Sequence, residues 1–278
     1  MNGEMINGNL LTAIIILVIA MVYLYLQNRW IEVEHIDIKL KNMPEDFQKL
    51  KIAHISDVHI PNNTFNIEKL MNILRKEKPD FIVVTGDLIQ KRKKIDEIQL
   101  GKLCLSLSEA AKTYAVTGNH EIWNDDVKRW NEILEANNVT VLDNKVEIFK
   151  KNNFEAAVIG LKEGCDYSDE FLECKDLKTG INKILLSHRP EKFSNYCSSP
   201  DCIRPDLILS GHAHGGQFRI PFINTGIYAP NQGAFPKYSS GLYISDNNVQ
   251  MSVSRGLSNS GFPVRIHNRI HLPIIQLK

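Results

Sequence analysis

Five short apolar runs in this chain stop abruptly at clusters of Gly, Asp, Asn and His that a packed core does not need. Lys51–Ser56 runs into Asp57-Val58-His59, Phe81–Val84 into Gly86-Asp87, and Tyr114–Thr117 into Gly118-Asn119-His120-Glu121. Ile184–Ser187 runs into His188-Arg189-Pro190, and Leu207–Ser210 into Gly211-His212-Ala213-His214-Gly215-Gly216. Short runs of this kind, rich in β-branched residues and bounded by turn residues, read as buried strands. Ligands in open α/β sheets collect at the carboxyl ends of strands, so the five clusters are expected to converge in space. Gly86, Gly118 and Gly211 stand just ahead of the key side chains, where glycine permits a positive φ and a close backbone approach.

The stretches between these runs complete an α/β pattern. Residues 27–50 read as a linker and an edge strand, with alternation in Ile31–Glu34 and Ile36–Leu40. Ile67–Lys76, Ile95–Ala111 and Asp125–Asn137 carry helical spacing, the first stopped by Pro79. Val139–Leu161 reads as two or three antiparallel strands with a turn at Asn152-Asn153, Gly241–Ser254 as a hairpin around Asn247-Asn248, and Pro273–Leu277 as a last strand. A βαβαβ opening followed by mostly β structure predicts two sheets packed together with helices outside.

Ahead of this domain lies Leu10–Leu26, 17 residues without a charge. At ~1.5 Å per residue it reaches about 26 Å, close to the hydrocarbon thickness of a bilayer. Every face is apolar, which disfavours a surface helix, and Tyr23, Tyr25 and Trp30 gather at one end, as in an interfacial belt. A cleaved signal peptide is the competing reading. Against it, the first nine residues carry no Lys or Arg and no A-x-A-like site follows. The expected organisation is an N-terminal anchor over residues 1–30 and one domain over 31–278, held at the cell membrane by a single span. Arg29, Lys39 and Lys41 follow the span and lean toward a cytoplasmic domain, but Glu32, Glu34 and Asp37 are mixed among them and leave the side open.

A net charge of +1 gives no global field to recruit nucleic acid, and none is expected as a partner. None of the five cysteines forms a C-x-x-C pair, so a structural zinc site is not expected. Cys165/Cys174 and Cys197/Cys202 are spaced to close short loops in an oxidising compartment; reduced thiols are the default.

The converging inventory is Asp57, His59, Asp87, Asn119, His120, His188, His212 and His214. Two carboxylates, an amide oxygen and several imidazoles suit divalent Mn, Fe or Zn, whereas magnesium alone would prefer more oxygen. The series D-x-H, G-D, G-N-H-E, H and G-H-x-H, in that order over residues 51–216, resembles the calcineurin-like metallophosphoesterase family. That resemblance implies a two-sheet sandwich flanked by helices and two divalent ions. Asp57, His59 and His214 would hold one ion, Asn119, His188 and His212 the other, with Asp87 bridging. His120 would stabilise the phosphate or protonate the leaving oxygen. The stretches Leu186–Glu191, Gly211–Gln217 and 254–265 are similar to a membrane-associated branch that includes UDP-diacylglucosamine hydrolases. The chain departs from the pattern at Glu121, where Asp is commoner, at Ala213, where Thr is common, and at His271-Leu272-Pro273. None of these removes an expected ligand.

The resemblance implies hydrolysis of a phosphoester or pyrophosphate, and the anchor favours a membrane-associated or lipid-linked substrate. Soluble nucleotides, phosphosugars or phosphoproteins are the alternative, and a non-catalytic metal-stabilised scaffold a third reading. Among the remaining groups, His54 is expected to be packed or to support the site, and His35, His267 and His271 to lie at the surface or in hydrogen bonds. Arg189, Arg255 and Arg265 are candidates for phosphate contacts or salt bridges, the latter favoured for Arg265. Lys91–Lys94 reads as a solvated loop entering a helix, with lipid headgroups as the other reading.

Overall fold

The computed structural model describes the chain except residues 1, 42, 44–49, 63–64, 169–176, 179, 224 and 260, and describes residues 2–7 in backbone alone. It opens with α1 (Asn2–Arg29), longer at both ends than the apolar run. Strands β1 (Glu32–Ile38), β2 (Leu50–Ile55), β3 (Phe81–Thr85), β4 (Lys112–Val116) and β5 (Val139–Val141) join the final strand β16 (His271–Leu277) in a six-stranded sheet, ordered β1-β16-β2-β3-β4-β5. A second six-stranded sheet contains β6 (Lys145–Lys151), β7 (Phe154–Gly160), β8 (Asn182–Leu186), β9 (Leu207–Ser210), β14 (Gly241–Ile244) and β15 (Gln250–Val253), ordered β14-β15-β9-β8-β7-β6. Two small ribbons lie between β9 and β14: β10 (Arg219–Ile220) with β11 (Thr225–Gly226), and β12 (Tyr228–Ala229) with β13 (Gly233–Ala234).

Successive side chains on a strand face opposite ways, and here both faces are covered. Phe81 and Val83 enter the layer between the sheets, while Ile82 and Val84 face α2 (Ile67–Glu77), α3 (Glu97–Ala110) and α5 (Val127–Ala136). In the second sheet Ile184, Leu186, Leu207 and Leu209 face the shared layer, and Leu185 and Ile208 face outward toward α6 (Phe193–Cys197). The result is four layers, helix–sheet–sheet–helix. Burial on both faces is why these strands read as unbroken apolar runs. The starts of α2 and α3 are capped by side chains: Asn66 Oδ1 accepts from Lys69 N–H at 3.1 Å, and Asp96 Oδ1 from Gln99 N–H at 2.9 Å.

Two expectations are corrected. Val139–Val141 does not pair with the strands that follow it; it adds in parallel to β4 in the first sheet, and only β6 and β7 form the antiparallel pair around Asn152-Asn153. The last strand begins at His271, and β1 reaches it in parallel as the sheet edge. Cys197 and Cys202 are free thiols, as the default reading had them; Cys174 lies outside the described residues, so its pairing with Cys165 does too. The hairpin around Asn247-Asn248 forms as expected from β14 and β15.

β2 through β5 run parallel, and so do β7, β8, β9 and β15. The carboxyl ends of β2, β3, β4, β8 and β9 therefore meet along one seam between the sheets. Asp57 N–H donates to Gly86 O at 3.1 Å, and the His188 ring lies 2.7 Å from Thr85 O, crossing from one sheet to the other.

Candidate metal centre

Seven of the eight sequence-predicted side chains come together at that seam, and Asn119, next in chain to His120, is buried like the rest. Asp57 and His59 follow β2, and Asp87 follows β3. Asn119 and His120 open the one-turn helix α4 (Asn119–Ile122), His188 follows β8, and His212 and His214 follow β9. Asp87 Oδ2 lies 3.4 Å from His188 Nε2, 3.8 Å from His120 Nε2 and 3.9 Å from His59 Nε2. Asp57 Oδ1 lies 3.3 Å from His214 Nε2, which in turn is 3.4 Å from His59 Nε2. His212 Nδ1 sits 3.1 Å from His188 Nε2. Two triads with donor atoms within 4.8 Å of one another result, Asp57/His59/His214 and Asp87/His188/His212, and a third, His59/Asp87/His120, lies between them.

The backbone here is bent against its preference. Asp57, His59, Asp87, His212 and His214 all have φ between 47° and 66°, a region costly for residues with a Cβ. The expectation that glycine supplies the sharp turn holds at Gly86, with φ 87°. At Gly211 the reason is space: a Cβ there would lie 1.8 Å from Ser56 Oγ and 2.6 Å from Asp57 Oδ2. Strain of this kind persists only when the surroundings fix it. Glu121 does much of the fixing, since its carboxylate accepts Asp87 N–H at 2.7 Å, Gly118 N–H at 2.8 Å and Ile89 N–H at 3.1 Å. Asp87 Oδ1 takes the His120 N–H at 2.8 Å.

The two buried carboxylates set the electrostatics of the seam. Burial disfavours a charged His188, but the Asp87 and Asp57 carboxylates outweigh it and lift the imidazole to about 10. Burial opposes ionisation of Asp87 as well, and His188 overrides that and holds the carboxyl well below its usual range. Burial pushes His59 and His214 down to about 3, Arg265 adding to the effect at His214, so both stay in the neutral, ligating form. Asn119 Oδ1 is buried without a hydrogen-bond partner. Buried polar atoms are normally satisfied, so an orphaned oxygen of this type fits a cation held among two carboxylates, an amide oxygen and imidazoles.

The calcineurin-like phosphoesterase family model matches residues 50–216. The chain belongs to that family. It is a metallophosphoesterase, a hydrolase acting on phosphoric esters, in a family that carries a dinuclear metal site. An uncharacterized metallophosphoesterase of Campylobacter jejuni is 28% identical over 96% of this chain and 69% of its own length. A zebrafish (Danio rerio) transmembrane protein with a metallophosphoesterase domain is 25% identical over 89% of this chain and 57% of its own. The phosphodiesterase YaeI of Escherichia coli is 24% identical over 78% of each. The chain thus spans little more than half the length of the zebrafish relative.

Other candidates of this metallophosphoesterase fall elsewhere. Arg189 is ion-paired with Glu163 and Arg255 with Glu32, the latter at 2.9 Å. Arg265, fully buried, bonds Ser258 O, Asn259 Oδ1 and the Arg269 carbonyl, and among the described residues it forms none of the salt bridges expected of it. His54 packs in the core with Nε2 2.8 Å from Thr85 Oγ1, and His271, buried rather than at the surface, has Nε2 2.9 Å from Glu34. His35 lies exposed, 3.0 Å from Glu77. Lys91–Lys94 form the loop leading to α3, as expected. Sequence reasoning missed that the Lys91 N–H donates to His120 Nδ1 at 3.2 Å, a contact set by the backbone and therefore without a residue signature. It also missed Asn231, whose side chain lies 3.2 Å from His212 Nε2, and Asn268, whose Nδ2 donates to His214 O at 2.7 Å; both sit on loops with no motif of their own.

Proposed function

We propose that Asp57, His59 and His214 hold one divalent ion and Asn119, His188 and His212 a second, with Asp87 shared. We further propose that this centre hydrolyses a phosphoester or pyrophosphate on a lipid-linked substrate at the membrane. The observation that carries the chemistry is Asp87 Oδ2 within 3.4–3.9 Å of imidazole nitrogens from three separate strand ends. Divalent Mn, Fe or Zn bound there supplies Lewis acidity that activates water and neutralises charge on phosphate.

The protein's own contribution centres on His120. The Lys91 amide donates into Nδ1, so the neutral ring carries its proton on Nε2, the nitrogen turned toward Asp87. Burial lowers the basicity of His120, against Asp87 and together with Lys91. The ring therefore acts as a neutral donor to a phosphoryl or leaving oxygen. Beside it, Lys91, Arg92, Ile122, Trp123 and Asp125 line an open cavity of about 640 Å³. Its two cations suit an anionic remainder of the substrate.

The membrane part of the reading rests on residues 1–30 as an anchor preceding the domain at 31–278. Gly8–Arg29 is long and apolar enough to span a bilayer, and the zebrafish relative is named a transmembrane protein. A comparison of kcat/KM for a lipid-linked pyrophosphate and its deacylated form tests the substrate class. A clear preference for the lipid form supports it, and equal values move the assignment to soluble phosphoesters.

A further inference from the structure

We infer that Phe222 and Ile223 of the β10–β11 ribbon, with Phe262 and Ile266 of the strap leading to β16, insert into the bilayer beside α1, so that the active site is pressed against the membrane surface. The inference rests on the proposed reading of α1 as a membrane span and adds a second, separate membrane contact.

The strap does not meet α1 at its end; it runs alongside its last turns. Tyr23 Oη accepts from His267 N–H at 2.9 Å, Gln27 Oε1 from Asn268 N–H at 2.9 Å, and Asn28 Oδ1 from Asn259 Nδ2 at 2.6 Å. At ~1.5 Å per residue, Tyr23 lies about 9 Å back along the helix from Arg29. Tyr23 also belongs to the uncharged run Leu10–Leu26, so a bilayer that accepts that run reaches the level of the strap. His267 apart, the exposed side chains there are apolar. Phe262 is 59% exposed, and at the neighbouring ribbon tip Phe222 is 106% exposed, with Ile223 and Ile266 also open. Strap and ribbon form one surface: Phe218 pairs with Ile266, its ring lies 5.8 Å from that of Phe262, and Gln217 Nε2 donates to Phe262 O and Val264 O. Exposed apolar residues gathered on one face mark an interaction site rather than ordinary surface.

The rim matches a lipid interface. The Arg29 guanidinium lies 5.1 Å over the Tyr25 ring and that of Arg269 lies 4.6 Å over Trp30. This places aromatic rings and cations where headgroup phosphates would lie. The same strap reaches the metal centre, because Asn268 Nδ2 donates to His214 O and the Ser258 carbonyl faces the His214 ring. A lipid-borne phosphoester would thus reach the site without leaving the bilayer.

The test uses the full-length chain in phosphatidylethanolamine/phosphatidylglycerol vesicles whose acyl chains carry a nitroxide quencher. A fluorescent amino acid is encoded singly at position 16, 98, 222 or 262. Ile16 reports the span, and Ile98, exposed on α3, reports the aqueous face. Quenching at 222 and 262 approaching that at 16, with none at 98, is expected. Quenching at 16 but not at 222 or 262 overturns insertion and leaves the anchor standing. No quenching at 16 removes the anchor, and the insertion with it.

Discussion

His188 and His214 contribute nitrogens to opposite ends of the same centre, yet they are held in different ways. The Nδ1 of His188 is 2.7 Å from the carbonyl of Thr85, the last residue of a buried central strand. His214 Nδ1 lies 3.3 Å from the Ser258 carbonyl, and its own carbonyl is held by Asn268. Both partners of His214 belong to the connection between the second sheet and β16, and that connection is stitched to α1. Groups that orient a ligating imidazole set its affinity for the metal. On the proposed assignment, one ion position would be built into the β core, while the other would depend on a strap hydrogen-bonded to α1.

The sharpest way to break this comparison is to remove what the two positions share. Asp87→Ala should abolish tight binding of both ions and lower phosphodiester hydrolysis by about a thousandfold or more, equivalent to several kcal/mol of lost charge stabilisation. Metal analysis together with turnover of bis-p-nitrophenyl phosphate checks it. His120→Ala should lower kcat by about 10²-fold or more with both ions retained. Loss of an ion in that variant would give His120 a structural role instead.

Asn268→Ala separates the two halves. It removes the donor to His214 O and should weaken one ion by about 10–100-fold while sparing the other, seen as a split in a metal titration. Equal weakening of both ions would erase the distinction drawn here.

The smallest effect concerns the core beneath the centre. Burial pushes His54 down to about 3, from an ordinary 6.5. The folded protein keeps this ring neutral while the unfolded chain takes up a proton below pH 6.5, so stability is lost as pH falls from 6.5 toward 3. In His54→Gln the urea-unfolding free energy should fall less steeply over that window, by up to about 1.4 kcal/mol per pH unit. An unchanged slope would mean that the ring is not held neutral.

The two halves also differ in how far they could be read from the chain. The side chains at the seam were legible because each ends a run whose apolar character needs burial on both faces, and because parallel strands present their carboxyl ends together. Which residues would carry the strain was not legible. Glycines precede the cluster, but the left-handed backbone falls mainly on Asp57, His59, Asp87, His212 and His214 themselves. Val139–Val141 was misplaced because three residues carry too little pattern to distinguish parallel from antiparallel pairing. Arg265 read as a salt-bridge candidate because sequence does not reveal that its surroundings are carbonyl oxygens. Asn231, Ser258 and Asn268 reach the histidines by hydrogen bonds across 19, 44 and 54 residues of chain, and nothing periodic announces them.

The most direct measurement is a stepwise metal titration of the full-length, metal-free protein in detergent, following bound Mn and diester hydrolysis in the same samples. Two ions per chain, with activity rising only as the second is taken up, is the predicted result. Full activity at one ion per chain, or activity without any metal, would contradict the two-ion centre around Asp87.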